Sequence, residues 1–168
     1  VNEQRDRRLV KIHSCFQIPH LSPDNIRYSK NKGGGALLDV GFYPLSMVIA
    51  LLGMPENVKS ILIGQPNYSV DLSGVAIFNY NEHYAVAEWG IGRLYKNEII
   101  LEFEDHQVIV ERAFSKPSAL QTIVTIIKKN GNREEILINE CDHFERLLTD
   151  FFHGNDNDQE HLSGILER

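Results

Sequence analysis

The stretch GGGALLDVGFYPL, residues 33–45, is the most informative part of the sequence for the fold. In it three glycines lead directly into an apolar segment. Glycine has no Cβ, so backbone or ligand can approach it closely. A helix repeats about every 3.6 residues, so Asp39 and Tyr43 share one face. A carboxylate beside a phenol is a hydrogen-bonding or proton-transfer pair. The alternative is a glycine-capped core helix, since apolar helical stripes usually pack in the core.

The apolar segment predicts a helix over 35–52. Pro44 lacks an N–H and disfavours helix at the preceding residue. The helix is therefore predicted either to kink there or to begin at Pro44 after an irregular turn, which would direct Tyr43 into a cleft. Gly53 and Pro55 are typical of a helix end.

The residues before the glycines predict a strand and then a loop. Residues 9–18 alternate, with Ile12, Ser14 and Phe16 on one side. Residues 20–32 hold Pro and paired polar residues, which favour a loop that can carry binding groups. Arg27 in this loop can clamp a carboxylate or phosphate, or it can make a surface ion pair.

Most of the remaining chain is predicted to be strand. Consecutive hairpins favour antiparallel pairing, and Asn130-Gly131 is the clearest turn. The fold class is therefore α+β: a large, mostly antiparallel sheet with helices packed on one face and apolar residues on both. An Asp142–Glu145 capping box starts a helix to about His153, and Asp158 is predicted to start another. The predicted strands cover 58–64, 73–80, 83–92, 97–103, 107–112, 119–129 and 133–139.

Composition narrows the function classes. The chain of 168 residues suits one domain, residues 1–168, and carries 17 Lys and Arg against 23 Asp and Glu, a net charge of −6. Without a basic stripe, no nucleic acid partner is expected, and no apolar run approaches membrane-spanning length, so no membrane is expected either. Cys15 and Cys141 are too few for a disulfide scaffold and favour the cytoplasm. No metal site is predicted, since neither H-E-x-x-H nor paired C-x-x-C occurs.

The glycine stretch, the LLGMP that follows at 51–55 and the upstream PDNIR at 23–27 together resemble one family. It is the glucose–fructose oxidoreductase / inositol dehydrogenase (Gfo/Idh/MocA) family of NAD(P)-dependent sugar and polyol oxidoreductases, at its C-terminal domain. The resemblance implies a substrate-binding and oligomerisation domain acting on a sugar, keto-sugar or sugar nucleotide. It implies that the Rossmann domain and its catalytic lysine precede this chain. NAD or NADP is then expected in the intact protein and none on the fragment alone, which should be inactive.

The resemblance also implies roles for individual residues. Tyr43 stands where many members have His, and its phenol suits proton donation in ketone reduction. Asp39 would orient substrate hydroxyls or tune Tyr43. Arg27 or Asn25 would hold a sugar substituent or phosphate, with Gly34 and Gly35 also at the substrate. The exposed sheet face is expected to form a homodimer or homotetramer.

A second hypothesis keeps the fold without the catalysis. In that case the chain is a stand-alone dimerisation or sugar-binding module that binds no nicotinamide. Light scattering and a cofactor titration distinguish the two hypotheses.

Overall fold

The fold is an open sheet of eight strands with helical segments on one face, seen in a computed structural model that describes residues 8–153. Along the sheet the strand order is β2-β3-β4-β1-β5-β6-β7-β8. This arrangement confirms the predicted α+β class. The strands are β1 (Leu9–Ile18), β2 (Asn57–Gly64), β3 (Asp71–Tyr80), β4 (His83–Ile91), β5 (Lys96–Phe103), β6 (His106–Glu111), β7 (Thr122–Lys128) and β8 (Arg133–Ile138).

The predicted hairpins are confirmed, and one pairing departs from the antiparallel prediction. Strands β3–β4, β5–β6 and β7–β8 pair antiparallel, as do β2–β3, β1–β5 and β6–β7. Strand β1 pairs with β4 in parallel, with Ile12 opposite Ala85 and Phe16 opposite Trp89. A parallel pair needs a long crossover. Residues 19–82, which include all the helical segments described before β4, provide it.

The helical region differs from the single helix predicted over 35–52. Two 3₁₀ turns, Ile26–Tyr28 and Lys30–Lys32, occur in the predicted loop, and a π-helix, Leu37–Gly41, precedes α1 (Phe42–Leu52). Pro44 is the third residue of α1, and the π-helix lies directly before the point where proline supplies no helical N–H. The irregularity lies upstream of Pro44, in the π-helix.

The core lies between these helical segments and the centre of the sheet. The π-helix and α1 pack on β4 and β1, and the side chains beneath them are almost fully buried. Trp89 is the largest of these side chains, at 1% exposed. A Cβ at Gly74 on the neighbouring strand would lie 2.3 Å from its indole, so glycine is required for the ring to lie flat there. We call this side of the sheet the covered face.

We call the other side of the sheet the open face. It carries pairs of charged side chains as well as apolar side chains. Lys11 Nζ lies 2.7 Å from Glu102 Oε1, and His13 Nε2 lies 3.5 Å from Glu88 Oε2. The prediction that apolar side chains occupy both faces is confirmed. Phe78, Trp89 and Ile91 lie on the covered face, and Val75, Ile77 and Val86 lie on the open face.

Residues Lys30–Leu52, helical except at 33–35, contain an 18-residue window with a mean hydropathy of 1.8, which is long and apolar enough by length and composition to cross a membrane. The prediction that no apolar run approaches this length was therefore wrong. The run changes helix type twice, and Val40, Pro44 and Val48 are buried against the sheet. A core helix meets the same criterion, so the match is weak evidence for a membrane span.

The chain ends its described part with α2 (His143–His153), as predicted. The Asp142 carboxylate accepts the Glu145 N–H at 3.1 Å, which confirms the Asp cap. The helix predicted from Asp158 lies outside the described residues.

Candidate active site

An ion pair joins the two charged residues that the sequence singled out. Arg27 Nε lies 2.5 Å from Asp39 Oδ2, and the two side chains are 38% and 31% exposed. This hydrogen bond to Asp39 is the main reason that the pKa of Arg27 is raised. Of the two roles predicted for Arg27, the structure shows the ion pair, and Asp39 is the partner. We call these two residues the Arg27–Asp39 pair.

The glycine run folds back onto the backbone that carries Arg27. The Gly35 N–H donates to the Arg27 carbonyl at 2.9 Å. A Cβ at Gly34 would lie 2.5 Å from that same oxygen, so only glycine permits the contact. Asn25 caps the 3₁₀ turn from the other side, with its Oδ1 accepting the Arg27 N–H at 3.1 Å. Gly34 and Asn25 thus fix where the Arg27 side chain begins.

Asp71, at the start of β3, is a residue that sequence reasoning missed. Its Oδ2 accepts the Leu37 N–H at 2.7 Å, at the first turn of the π-helix. Its Oδ1 would lie 2.6 Å from a Cβ at Gly35, which also has a φ of +128°. The carboxylate therefore occupies the space that the glycine leaves and holds the start of the π-helix. Nothing near Asp71 in the sequence signals this contact, because its partner lies 34 residues away.

The π-helix carries Asp39 itself. A π-helix is rare, and single turns of it often occur at functional sites. The Asp39 N–H lies 3.3 Å from the Gly35 carbonyl, an α-type spacing at the start of the wider turn. The widened turn then ends at Gly41, so Asp39 and Tyr43 lie on different kinds of helix.

Tyr43 stands at the surface with its ring supported from behind. The ring packs edge-on against Phe16, with centroids 5.5 Å apart, and lies 6.3 Å from the ring of Phe114. Its side of the helix is open, and the residue is 44% exposed. Among residues 8–153 the Tyr43 hydroxyl makes no hydrogen bond. The predicted acid–phenol hydrogen bond is thus absent, because Asp39 is bonded to Arg27 instead. The Tyr43 phenol also contributes to the raised pKa of Arg27, and the contribution of Asp39 is larger.

A cavity of about 140 Å³ opens at the Arg27–Asp39 pair. The three glycine N–H groups donate to backbone carbonyls of residues 27–30, so the run presents no anion-binding nest to this cavity. A ligand there would meet side chains instead. Neither Tyr43 nor Asn25 lines this cavity. The lining residues are Ile26, Arg27, Lys32, Gly33, Gly34, Gly35, Leu38 and Asp39.

The domain is of the α+β class. Its helical segments cover one face of an eight-stranded sheet, and they carry the Arg27–Asp39 pair. The GFO/IDH/MocA C-terminal domain family model matches residues 6–107. The chain belongs to this family, as the sequence resemblance indicated.

Curated relatives agree with this assignment. A protein of Saccharopolyspora spinosa is 33% identical over 146 residues, covering 85% of this chain and 43% of that protein. A protein of Streptomyces violaceoruber is 31% identical over 129 residues, covering 75% of this chain and 38% of that protein. Both are named dTDP-3,4-didehydro-2,6-dideoxy-alpha-D-glucose 3-reductase. The chain thus spans less than half the length of these relatives.

Solved structures show the same fold. A 3-ketoreductase from Actinomadura kijaniata, in complex with NADP and TDP-benzene, superposes with a TM-score of 0.79 at 24% identity. The match covers 86% of this chain and 45% of that one. A protein from Klebsiella pneumoniae described as a putative oxidoreductase gives a TM-score of 0.65 at 13% identity, over 87% of this chain and 46% of that one.

Proposed function

We propose that this chain is the substrate-binding and oligomerisation half of an NAD(P)-dependent reductase that acts on a keto-sugar joined to a nucleotide. The observation that carries the proposal is the exposed Tyr43 phenol, which interacts electrostatically with Arg27 of the Arg27–Asp39 pair, together with a small open cavity at the pair. It stands on a domain whose curated relatives are named as reductases of a dTDP-linked keto-sugar. A Rossmann domain elsewhere in the intact protein would hold NAD or NADP.

Tyr43 is assigned the proton transfer. The nicotinamide, when bound, supplies a hydride to the carbonyl carbon of the sugar. The electron pair of the C=O bond then moves onto the oxygen, and the Tyr43 O–H gives its proton to that oxygen. A secondary alcohol and a tyrosinate result, and solvent returns the proton to the exposed ring. The free hydroxyl and the support behind the ring suit this role.

The Arg27–Asp39 pair is assigned to substrate orientation. Asp39 oxygens accept hydrogen bonds from sugar hydroxyls, and only one of them is engaged with Arg27 Nε. The Nη groups of Arg27 remain as donors for a sugar substituent or a phosphate oxygen. Lys32, at the same cavity, adds a second positive charge.

The apolar lining favours a sugar that lacks some hydroxyls. Ile26 and Leu38 line the cavity and are 56% and 69% exposed. A hydroxyl placed against either side chain finds no hydrogen-bond partner there, and a deoxy carbon needs none. A deoxy-sugar, like the substrate in the names of the curated relatives, suits this lining.

The test is turnover by the protein from the complete reading frame. NADH and NADPH oxidation is followed with a dTDP-linked 2,6-dideoxy keto-sugar and with a fully hydroxylated keto-sugar nucleotide as the matched control. We expect oxidation that depends on the sugar, with the higher kcat/KM for the deoxy substrate. Nicotinamide binding without sugar-dependent oxidation of either substrate would contradict the proposal.

The second candidate is a non-catalytic dimerisation or sugar-binding module. The observation that favours it is the open face, where Ile77 and Tyr84 are 49% and 43% exposed beside the ion pairs. Such a face suits a partner sheet, and the reductase proposal also includes a homodimer or homotetramer formed there. If the intact protein is a dimer by light scattering but binds neither nicotinamide in a titration, the module is supported. We also propose a cytoplasmic location, since both cysteines are free.

A further inference from the structure

One buried amide on the covered face links the two aromatic residues that support Tyr43. Asn97 on β5 is 5% exposed and lies directly opposite Phe16 on β1. A polar side chain buried this deeply is unfavourable unless its hydrogen bonds are made. The Asn97 side chain makes two hydrogen bonds with one short segment of the chain and a third with Tyr95.

That segment is the loop that follows β6. Asn97 Oδ1 accepts the Phe114 N–H at 2.8 Å, and Nδ2 donates to the Ser115 carbonyl at 2.7 Å. Nδ2 also donates to the Tyr95 hydroxyl at 3.0 Å. The Asn97 backbone carbonyl accepts the Arg112 N–H at 2.7 Å. Three of these four bonds go to residues 112–115 and determine the path of that loop.

The loop is held in a conformation it would not otherwise favour. Arg112 has a φ of +54°, and it is the one non-glycine residue with positive φ among residues 8–153. Such a conformation costs energy and persists only where the surroundings impose it. The guanidinium of Arg112 lies 4.4 Å from the centroid of the Tyr95 ring, whose hydroxyl is bonded to Asn97. The backbone of Arg112 is thus bonded to Asn97 directly, and its guanidinium contacts Tyr95, which is itself bonded to Asn97.

The consequence reaches Tyr43 through Phe114. The Phe114 and Phe16 rings lie 5.6 Å apart and both pack against Tyr43, so Tyr43 rests in a corner made by two aromatic side chains. Asn97 is the cross-strand neighbour of Phe16 and fixes the backbone of Phe114. The Phe114 side of the corner therefore depends on the amide of Asn97.

We propose that Asn97 is a positioning residue that holds the Tyr43 phenol in the orientation needed for proton transfer, by tying the Phe114 loop to β5. The catalytic consequence rests on the proposed function. The geometric premise, that Asn97 holds the backbone of Phe114 and that the Phe114 ring contacts the Tyr43 ring, is given by the contacts alone.

The first experiment is a double-mutant cycle in the intact enzyme. Asn97→Asp keeps the acceptor for Phe114 N–H but turns an oxygen towards the Ser115 carbonyl, which frees the loop. We expect kcat to fall about 10- to 100-fold, because small displacements of a reacting group can cost this much, with KM changed less than about threefold. In a Tyr43→Phe background the same change should cost less than about twofold, since coupled residues are not additive. Equal losses in both backgrounds would overturn the proposal.

The second experiment observes the ring directly. The intact protein is made with 3-fluorotyrosine, and the Tyr43 fluorine signal is identified by its absence in Tyr43→Phe. Asn97→Asp and Phe114→Leu should both shift or broaden this signal, although Phe114→Leu leaves the bonds of Asn97 in place. Thr125→Val is the matched control, because Thr125 is equally buried at 5% but lies on the open face of β7, and it should leave the signal unchanged.

The two experiments separate the possible failures. If Tyr43→Phe does not lower turnover, the role of Tyr43 in the proposed function fails, and the fluorine signal still decides whether Asn97 positions the ring. If Asn97→Asp does not fold, Asn97→Ser, which removes the side-chain bonds to Phe114 and Ser115 without burying a charge, carries the test through the same signal. A Tyr43 signal unmoved by the folded variants would overturn the inference.

Discussion

The two faces of the sheet differ in how far their side chains are buried, although every central strand contributes side chains to both faces. On the covered face Trp89 and Ile12 are each 1% exposed, while on the open face Ile77 is 49% exposed and Tyr84 43%. The helical segments of the domain cover one face of the sheet, and the side chains of the other face are exposed. We infer that the covered face provides most of the stability and carries the candidate site, and the proposed oligomer would form on the open face.

The largest difference between the faces is expected in stability. Trp89→Ala should lower the free energy of unfolding by about 3–5 kcal/mol, because it removes a fully buried ring and leaves a cavity. Tyr84→Ala, on the same strand but the open face, should cost about 1 kcal/mol or less. Chemical denaturation of the two variants measures both values. Similar losses would show that the faces are equally important for stability.

A smaller effect is expected where the glycine run meets the covered face. Gly35→Ala combines a φ of +128° with a contact on Asp71, so it should cost roughly 2–3 kcal/mol. Gly131→Ala in the β7–β8 turn has positive φ but open space, and should cost about 1 kcal/mol. Thermal unfolding compares the two. An equal cost would mean that the Asp71 contact contributes nothing.

The open face is expected to matter for association. Ile77→Lys should weaken self-association of the intact protein about 10- to 100-fold, which is about 1.4–2.8 kcal/mol, because it places a charge in the apolar part of that face. Leu94→Lys is the control, since Leu94 is 89% exposed in the turn before β5. Sedimentation or light scattering across a dilution series gives the constants. A dimer unaffected by Ile77→Lys would place the interface elsewhere.

The smallest effect concerns Cys15, which points to the open face yet is fully buried. Burial raises the pKa of the Cys15 thiol from 9.0 to about 12. Between these values the unfolded chain has lost the proton that the folded chain keeps, so stability falls as pH rises through this window. In Cys15→Ala this decline should be shallower than in the parent protein. Denaturation at pH 8 and pH 10 tests it, and identical declines would contradict the assigned burial.

The sequence predicted the elements better than it predicted their partners. Alternation and turn residues located every strand within a few residues, and the acid, arginine and glycines of the site were all singled out. The parallel β1–β4 pair was not foreseen, because its two strands are separated by all of residues 19–82. Pro44 led to the prediction of an irregular turn before the helix as one alternative, but not to the prediction that this turn is a π-helix.

The same limit explains the site. Arg27 and Asp39 were each proposed, but the fold of the glycine run makes them partners. Asp71 and Asn97 were missed altogether, since each acts on a segment that is distant in the chain. An Asp or Asn at the start of a strand is ordinary in a sequence and becomes informative only through its contacts.

The central claim is that Tyr43 transfers a proton at the edge of the covered face. The direct measurement is single-turnover NADPH oxidation by the intact protein with saturating keto-sugar nucleotide, comparing the parent protein with Tyr43→Phe. We expect the rate to fall about 100-fold or more with the unfolding midpoint unchanged, because only the phenolic O–H is removed. A rate within twofold of the parent protein would contradict the claim and leave Tyr43 as a packing residue.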